Sequence, residues 1–234
     1  EPVTTELIAE DIPLDIVYED KHVLVINKPA GMVVHPSIGH TSGTLVHAAL
    51  AHAPDMEGIS GEGRPGVIHR LDKDTSGIIL MAKDDRALHY LQDQFKKRNV
   101  EKVYIALVDR HPPTPEGIID APIGRDPSHR QRMAIVPAEK GRLAVSEYKT
   151  LQRYLQHTLL EVHPRTGRTH QIRLHCSFIG CPIVADTIYG YRKPSLDLRR
   201  HFLHATRITV TLPGETVART FEAPLPEDLA GILE

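Results

Sequence analysis

Residues 66–83 constrain this chain more than any other stretch: Gly66-Val67-Ile68-His69-Arg70-Leu71-Asp72-Lys73-Asp74-Thr75-Ser76-Gly77-Ile78-Ile79-Leu80-Met81-Ala82-Lys83. Two apolar runs, Val67-Ile68 and Ile78 to Met81, read as buried strands. Between them lie an arginine, a lysine and two aspartates, closed by the turn-forming trio Thr75-Ser76-Gly77. Charges beside a core must be paired or change their protonation. The polar segment is therefore either a hairpin with a solvated tip or a place for chemistry.

The rest of the chain limits the choice. Its 234 residues suffice for one large domain or two small ones. No apolar run reaches the length of a bilayer span, and nothing at the start resembles a signal peptide, so a cytoplasmic protein is expected. The chain opens on Glu1, which reads as a trimmed or partial start. The net charge of −2 hides an asymmetry: residues 1–20 hold seven acids and no Lys or Arg, leaving the remainder at +5. Basic residues gather at Lys96-Lys97-Arg98, at Arg125, Arg130 and Arg132, at Arg165, Arg168 and Arg173, and at Arg192, Lys193, Arg199 and Arg200. Converging on one groove, they would track a phosphate backbone. Lys96 to Arg98 also suits the C-terminal end of a helix, where cations oppose the dipole. Cys176 and Cys181 lack the paired spacing of zinc sites and read as two buried thiols.

Taken in order, Leu14 to Tyr18 and Val23 to Ile26 read as paired strands, after which Asn27 to Gly31 leaves the sheet. Thr44 opens a short helix, residues 54–66 form a loop, and Asp84 or Asp85 caps a helix carrying Leu88, Leu91 and Phe95. Lys102 to Val108 is a strand, on which Tyr104 reads by composition as core. Residues 111–142 read as a long loop or irregular hairpin. Ala144 to Tyr154 and His157 to Val162 are strands, and Thr169 caps a helix bearing Ile172, Cys176 and Ile179 that Gly180 and Pro182 end. Ile208 to Leu212 and Val217 to Phe221 flank the turn Pro213-Gly214-Glu215. Sequential strands pairing as hairpins, with few helices, imply α+β on a large, mostly antiparallel sheet.

Three ordered motifs carry a resemblance. His69-Arg70-Leu71-Asp72, the upstream Asn27-Lys28-Pro29-Ala30-Gly31, and the downstream Thr166-Gly167-Arg168-Thr169-His170-Gln171-Ile172-Arg173 are similar to the signatures of the RluA-type pseudouridine synthases, nearest the branch typified by RluD. The resemblance spans roughly residues 11–226, and three motifs in order are far more specific than one. It implies a pseudouridine synthase catalytic domain over 13–230, with 1–12 an acidic linker that in many relatives follows a small RNA-binding domain absent here.

That reaction breaks the uridine N1–C1′ bond, turns the uracil and joins C5 to C1′, so it calls for no metal, redox cofactor or nucleoside triphosphate. The resemblance makes Asp72 the nucleophile and Tyr104 the residue that stacks on the flipped uracil and either accepts or relays its C5 proton. It pairs Arg168 with Asp72, and a guanidinium gripping a carboxylate would keep it anionic and still. Ile172 or Leu174 would floor the ring. Arg70, two residues before Asp72 on a continuing strand, would face the same side and fill the space of the flipped base. Arg165 and Arg173 are assigned to phosphate contact or helix structure. The partner expected is RNA, of the large ribosomal subunit (23S-type), with no membrane, no obligate protein partner and a monomeric chain.

Other classes fit less well. A glycoside hydrolase needs two carboxyl groups flanking one bond. Asp72 and Asp74 are the only close pair in this stretch, and there is no Trp for a sugar cleft. A non-catalytic RNA-binding domain gains nothing from Asp72 among cations. The same chemistry on tRNA stays open. The 15 histidines offer no metal pattern, since His170 and His175 are five apart. Cys181 stands where the family pattern often has His, and Ala185 where Gly is usual, which puts local packing in question.

Overall fold

The computed structural model describes residues 7–37, 39–56, 59, 64–129 and 132–234. Arg130, the start of the acidic segment and part of the 54–66 loop lie outside them. The protein is α+β, with a large, mostly antiparallel sheet and few helices. Its contacts group into two units, residues 1–100 with 205–224, and residues 101–204 with 225–234.

In the first unit, β1 (Ile16–Glu19) and β2 (Val23–Lys28) form the expected hairpin. Asp20 fixes its turn by accepting from the backbone N–H groups of His22 and Val23, both at 2.7 Å. Val23 to Ile26 are all fully buried, so β2 is covered on both faces and reads as a continuous apolar run. The sheet continues through β3 (Ser76–Ala82) to β10 (Leu203–Val210), and β11 (Arg219–Glu222) pairs with β10. Between them come α1 (Leu45–His52), a short 3₁₀ turn at Pro54–Met56, and α2 (Asp85–Lys96). Asp84 caps α2 by accepting from the Ala87 N–H at 2.7 Å. Leu91 of α2 joins Val23, Val25, Ile78, Leu80 and Ile208 in the core.

Several expectations change here. Strand β2 runs on through Asn27 and Lys28, and the chain leaves the sheet only at Pro29, which has no N–H to give. Val67 makes one isolated bridge to Met81, and Val67 and Ile68 are only half-buried, so they form no strand. Gly77 closes no turn. It lies inside β3 at φ +115°, where a Cβ would stand 2.2 Å from the Ala205 carbonyl oxygen, so its missing side chain permits close backbone approach. Val217 is exposed and outside β11. The acidic segment is in part docked: Glu10 accepts from the Gly43 N–H and donates its own N–H to His47.

The second unit carries β4 (Glu101–Asp109), β9 (His157–Pro164), β8 (Val145–Arg153) and β5 (Glu116–Asp120), in that order and antiparallel. Residues 111–142 are more regular than their composition implies, since they hold β5 and a small hairpin of β6 (Ile123–Arg125) and β7 (Met133–Ile135). Helix α3 (Gln171–Phe178) follows β9, and α4 (Glu227–Ala230) lies near the end of the chain. Cys176 and Cys181 are buried free thiols, and burial pushes the Cys176 thiol up to about 12. No helix among the described residues is long and apolar enough to cross a membrane.

Candidate active site

In the first unit the segment 69–75 is a fixed loop and not a continuing strand. His69 turns inward: its Nε2 accepts from the Leu80 N–H at 3.0 Å, and its ring stacks on Phe95 at 4.8 Å. An accepting Nε2 puts the proton of the neutral ring on Nδ1. Arg70 points out to solvent, Leu71 is 4% exposed and anchors in the core, and Asp72 is half-buried. The motif thus alternates anchors with presented groups. The Asp72 carbonyl accepts from the Thr75 N–H at 3.1 Å, closing a tight turn after it.

The strongest tether was not assigned a role from sequence. Lys28 is fully buried, and its ammonium donates to the carbonyls of Pro29 and Met32, each at 2.8 Å, and of Lys73 at 3.1 Å. The Gly31 N–H reaches the same Lys73 carbonyl at 2.9 Å. The upstream Asn27 to Gly31 motif is therefore a clamp on the Asp72 loop. A buried lysine is stable only where carbonyls replace its water shell, and three do so here. Its legible signal was a Lys standing between the apolar run Val23 to Ile26 and Pro29.

In the second unit Tyr104 is 9% exposed on β4, opposite Val162 of β9. Two residues earlier, Lys102 shares its strand face. Burial pushes the Lys102 amine down to about 8, and its Nζ lies 3.8 Å from where a Gly167 Cβ would stand. The turn at Thr166 to Arg168 is held by Gln171, another residue that sequence reasoning passed over. Its carbonyl oxygen accepts from the Thr166 hydroxyl at 2.6 Å and the Arg168 N–H at 3.0 Å, while its amide donates to Val145 and Ser146. Thr169 does not cap α3; the residue before the helix is His170, in the left-handed conformation at φ 57°.

The arginines separate by environment. Arg168 donates from Nε to the Leu143 carbonyl at 3.0 Å. Arg165 is exposed and gripped through two bonds by Glu147, so its charge is already matched. Arg173 is 5% exposed and clamped in the same two-bond manner by Asp186, at 2.7 and 2.8 Å, beneath the Tyr189 ring. Of the two assignments made for Arg173, phosphate contact or helix structure, this burial and clamp favour the second, with Arg173 a fixed internal cation. The clamp holds the Asp186 carboxyl below its ordinary range against the burial that would raise it. Ile172 is 6% exposed on α3, whereas Leu174 packs with Ile123 and Ala144 and belongs to the core. The basic clusters are partly matched by carboxylates of the same chain, Arg200 by Asp228 and, on the surface, Lys97 by Asp93. Among the described residues no group of His, Cys, Asp and Glu is arranged to hold a metal ion.

The first unit thus presents Asp72 and Arg70 from a fixed loop, and the second carries Tyr104 and Lys102 on one strand and the buried Arg173 on α3. A family model described as RNA pseudouridylate synthase matches residues 22–178, so this chain belongs to that family and is an RNA-modifying isomerase. It is 53% identical, over 99% of its length and 72% of the relative's, to a protein of Chloroflexus aurantiacus named as an uncharacterized RNA pseudouridine synthase. It is 45% identical to the ribosomal large subunit pseudouridine synthase D of Pseudomonas aeruginosa, over 97% of this chain and 73% of that one. Among solved structures, the human RNA pseudouridylate synthase domain containing 4 superposes with a TM-score of 0.74 at 28% identity, covering 93% of this chain and 91% of that one.

Proposed function

We propose that this protein isomerises specific uridines of large-subunit ribosomal RNA to pseudouridine, with Asp72 as the nucleophile. The observation that carries the reading is the clamp on the Asp72 loop. Lys28, Gly31 and Thr75 fix the backbone at and immediately after one half-buried carboxylate, while Arg70 beside it faces solvent. A nucleophile held still before substrate arrives needs little reorganisation in the reaction. The ribosomal target is supported by relatives that carry that name.

In this reading Asp72 forms a transient bond to the flipped nucleotide, the N1–C1′ bond breaks, the uracil turns, C5 bonds to C1′, the bond to Asp72 breaks to free its carboxylate, and C5 loses its proton while N1 gains one. Tyr104 stacks on the uracil and relays the C5 proton, with Ile172 as the floor. Arg168 is the cation the resemblance implies for Asp72. The buried and pre-organised Arg173 meets the same physical demand better, because Asp186 already fixes its plane.

The test is pseudouridine mapping by carbodiimide-blocked primer extension on a large-subunit RNA transcript and on tRNA. A stop with wild type and none with Asp72→Asn supports the nucleophile, and its position names the uridine. Equal stops from both proteins would remove Asp72 from that role, and a stop on tRNA alone would move the substrate. Lysine replacements at Arg168 and Arg173, compared for kcat at saturating RNA, decide which guanidinium serves the reaction.

A further inference from the structure

The loop between β2 and α1 carries a histidine that the chemistry above does not use. His35 is 9% exposed, and its Nδ1 has no hydrogen-bond partner. The backbone around it is fixed, because Leu45 and Val46 donate to the carbonyls of Val33 and Val34, and Ser37 pairs with His40. Its loop lies against the loop that carries Arg70, joined by the Gly31 N–H to the Lys73 carbonyl at 2.9 Å, and the charges that act on the ring are the guanidiniums of Arg64 and Arg70. Both arginines are exposed, and neither makes a salt bridge among the described residues. Lys73 adds a further cation to the same loop through its contact with His40 at 3.0 Å.

A buried ring nitrogen without a partner and two unmatched guanidiniums share one unmet requirement, an anion with several acceptor oxygens. We infer that His35, Arg64 and Arg70 form a cradle for one phosphate group of the RNA strand, with the neutral imidazole donating from Nδ1 and the two guanidiniums supplying the charge. Two residues span at most about 7 Å, so a phosphate on Arg70 lies within a nucleotide or so of the base at Asp72. The cradle sets the register of the strand: it grips the backbone beside the target while the base itself is turned out. This rests on the reading of the chain as an RNA-modifying enzyme, and it gives Arg64 and His35 a role in positioning substrate.

The experiment measures binding of a large-subunit RNA fragment by fluorescence anisotropy across a salt series, with pseudouridine formation followed on the same RNA. Arg64→Ala should weaken binding, lower the slope of log affinity against log salt by about 0.7 to 0.9, and raise KM with kcat unchanged at saturating RNA. Arg64→Lys should restore the slope. His35→Phe keeps the buried ring but removes the donor, and should weaken binding without changing the slope. Arg64 is exposed, so its variant tests the cradle even where a change at the buried His35 impairs folding. A wild-type slope for Arg64→Ala together with wild-type affinity for His35→Phe, with pseudouridine still formed, would overturn the cradle and leave the enzymatic reading intact. A lowered slope for Arg64→Ala in a protein that forms no pseudouridine would uphold the cradle and remove the enzymatic reading.

Discussion

Lys28 Nζ donates to the backbone carbonyl of Lys73 at 3.1 Å, joining the end of β2 to the residue after Asp72. The same ammonium holds Pro29 and Met32, so one fully buried charge gathers two loops. Replacing it leaves several carbonyls to find other partners, and the affected loop is the one that presents the aspartate.

Lys28→Met should therefore harm function more than fold. The methionine fills similar volume and removes a buried charge, which offsets part of the lost hydrogen bonding, so a stability loss of about 1 to 3 kcal/mol is expected. A shift of the carboxylate by about 1 Å is enough to lower kcat by roughly 10²-fold. Urea unfolding and single-turnover pseudouridine formation on one RNA measure the two effects. A variant with wild-type turnover would show that Lys28 is only a core residue.

The sequence was most legible where pattern and chemistry agree. The apolar runs Val23 to Ile26 of β2 and Ile78 to Met81 of β3, the Asp84 cap and the antiparallel hairpins follow directly from side-chain type, and Asp72 stands out as an acid set among apolar runs. What escaped reading were groups whose role comes from partners far along the chain. Lys28 meets a carbonyl 45 residues on, Gln171 meets Val145 26 residues back, and Arg173 meets Asp186 13 residues on. A buried amide or ammonium looks in sequence like any surface polar residue, since only the fold brings its acceptors. The strands inside residues 111–142 were hidden for a related reason: they are short and rich in turn residues, so no period of two emerges.

Ala185 offers a gain in stability. It holds φ 59°, a left-handed backbone that an alanine Cβ resists, and it precedes Asp186, the partner of Arg173. Glycine, the residue usual here in the resembling family, adopts this conformation without strain, although it adds entropy to the unfolded chain. Ala185→Gly should therefore stabilise by up to about 1 kcal/mol, read as a raised urea midpoint with unchanged slope. Because Ala185 is only 7% exposed, its methyl also contributes packing. A lowered midpoint would mean that its packing outweighs the strain.

The orphaned His35 gives the folded protein a pH dependence whose sign can be worked out. Burial first, then the Arg64 and Arg70 charges, lower its folded pKa to about 4 from an ordinary 6.5. Between those values the unfolded chain binds a proton that the folded protein refuses, so stability rises with pH across that window. The contribution is full above about 6.5 and falls progressively as the pH drops toward 4, by at most about 3 kcal/mol. His175, also buried and held below its ordinary range, adds a slope of the same sign. Urea unfolding at pH 7, 5.5 and 4.5 should show this decline in wild type, and His35→Gln should flatten most of it while leaving the part due to His175. A variant as acid-sensitive as wild type would place the proton uptake elsewhere.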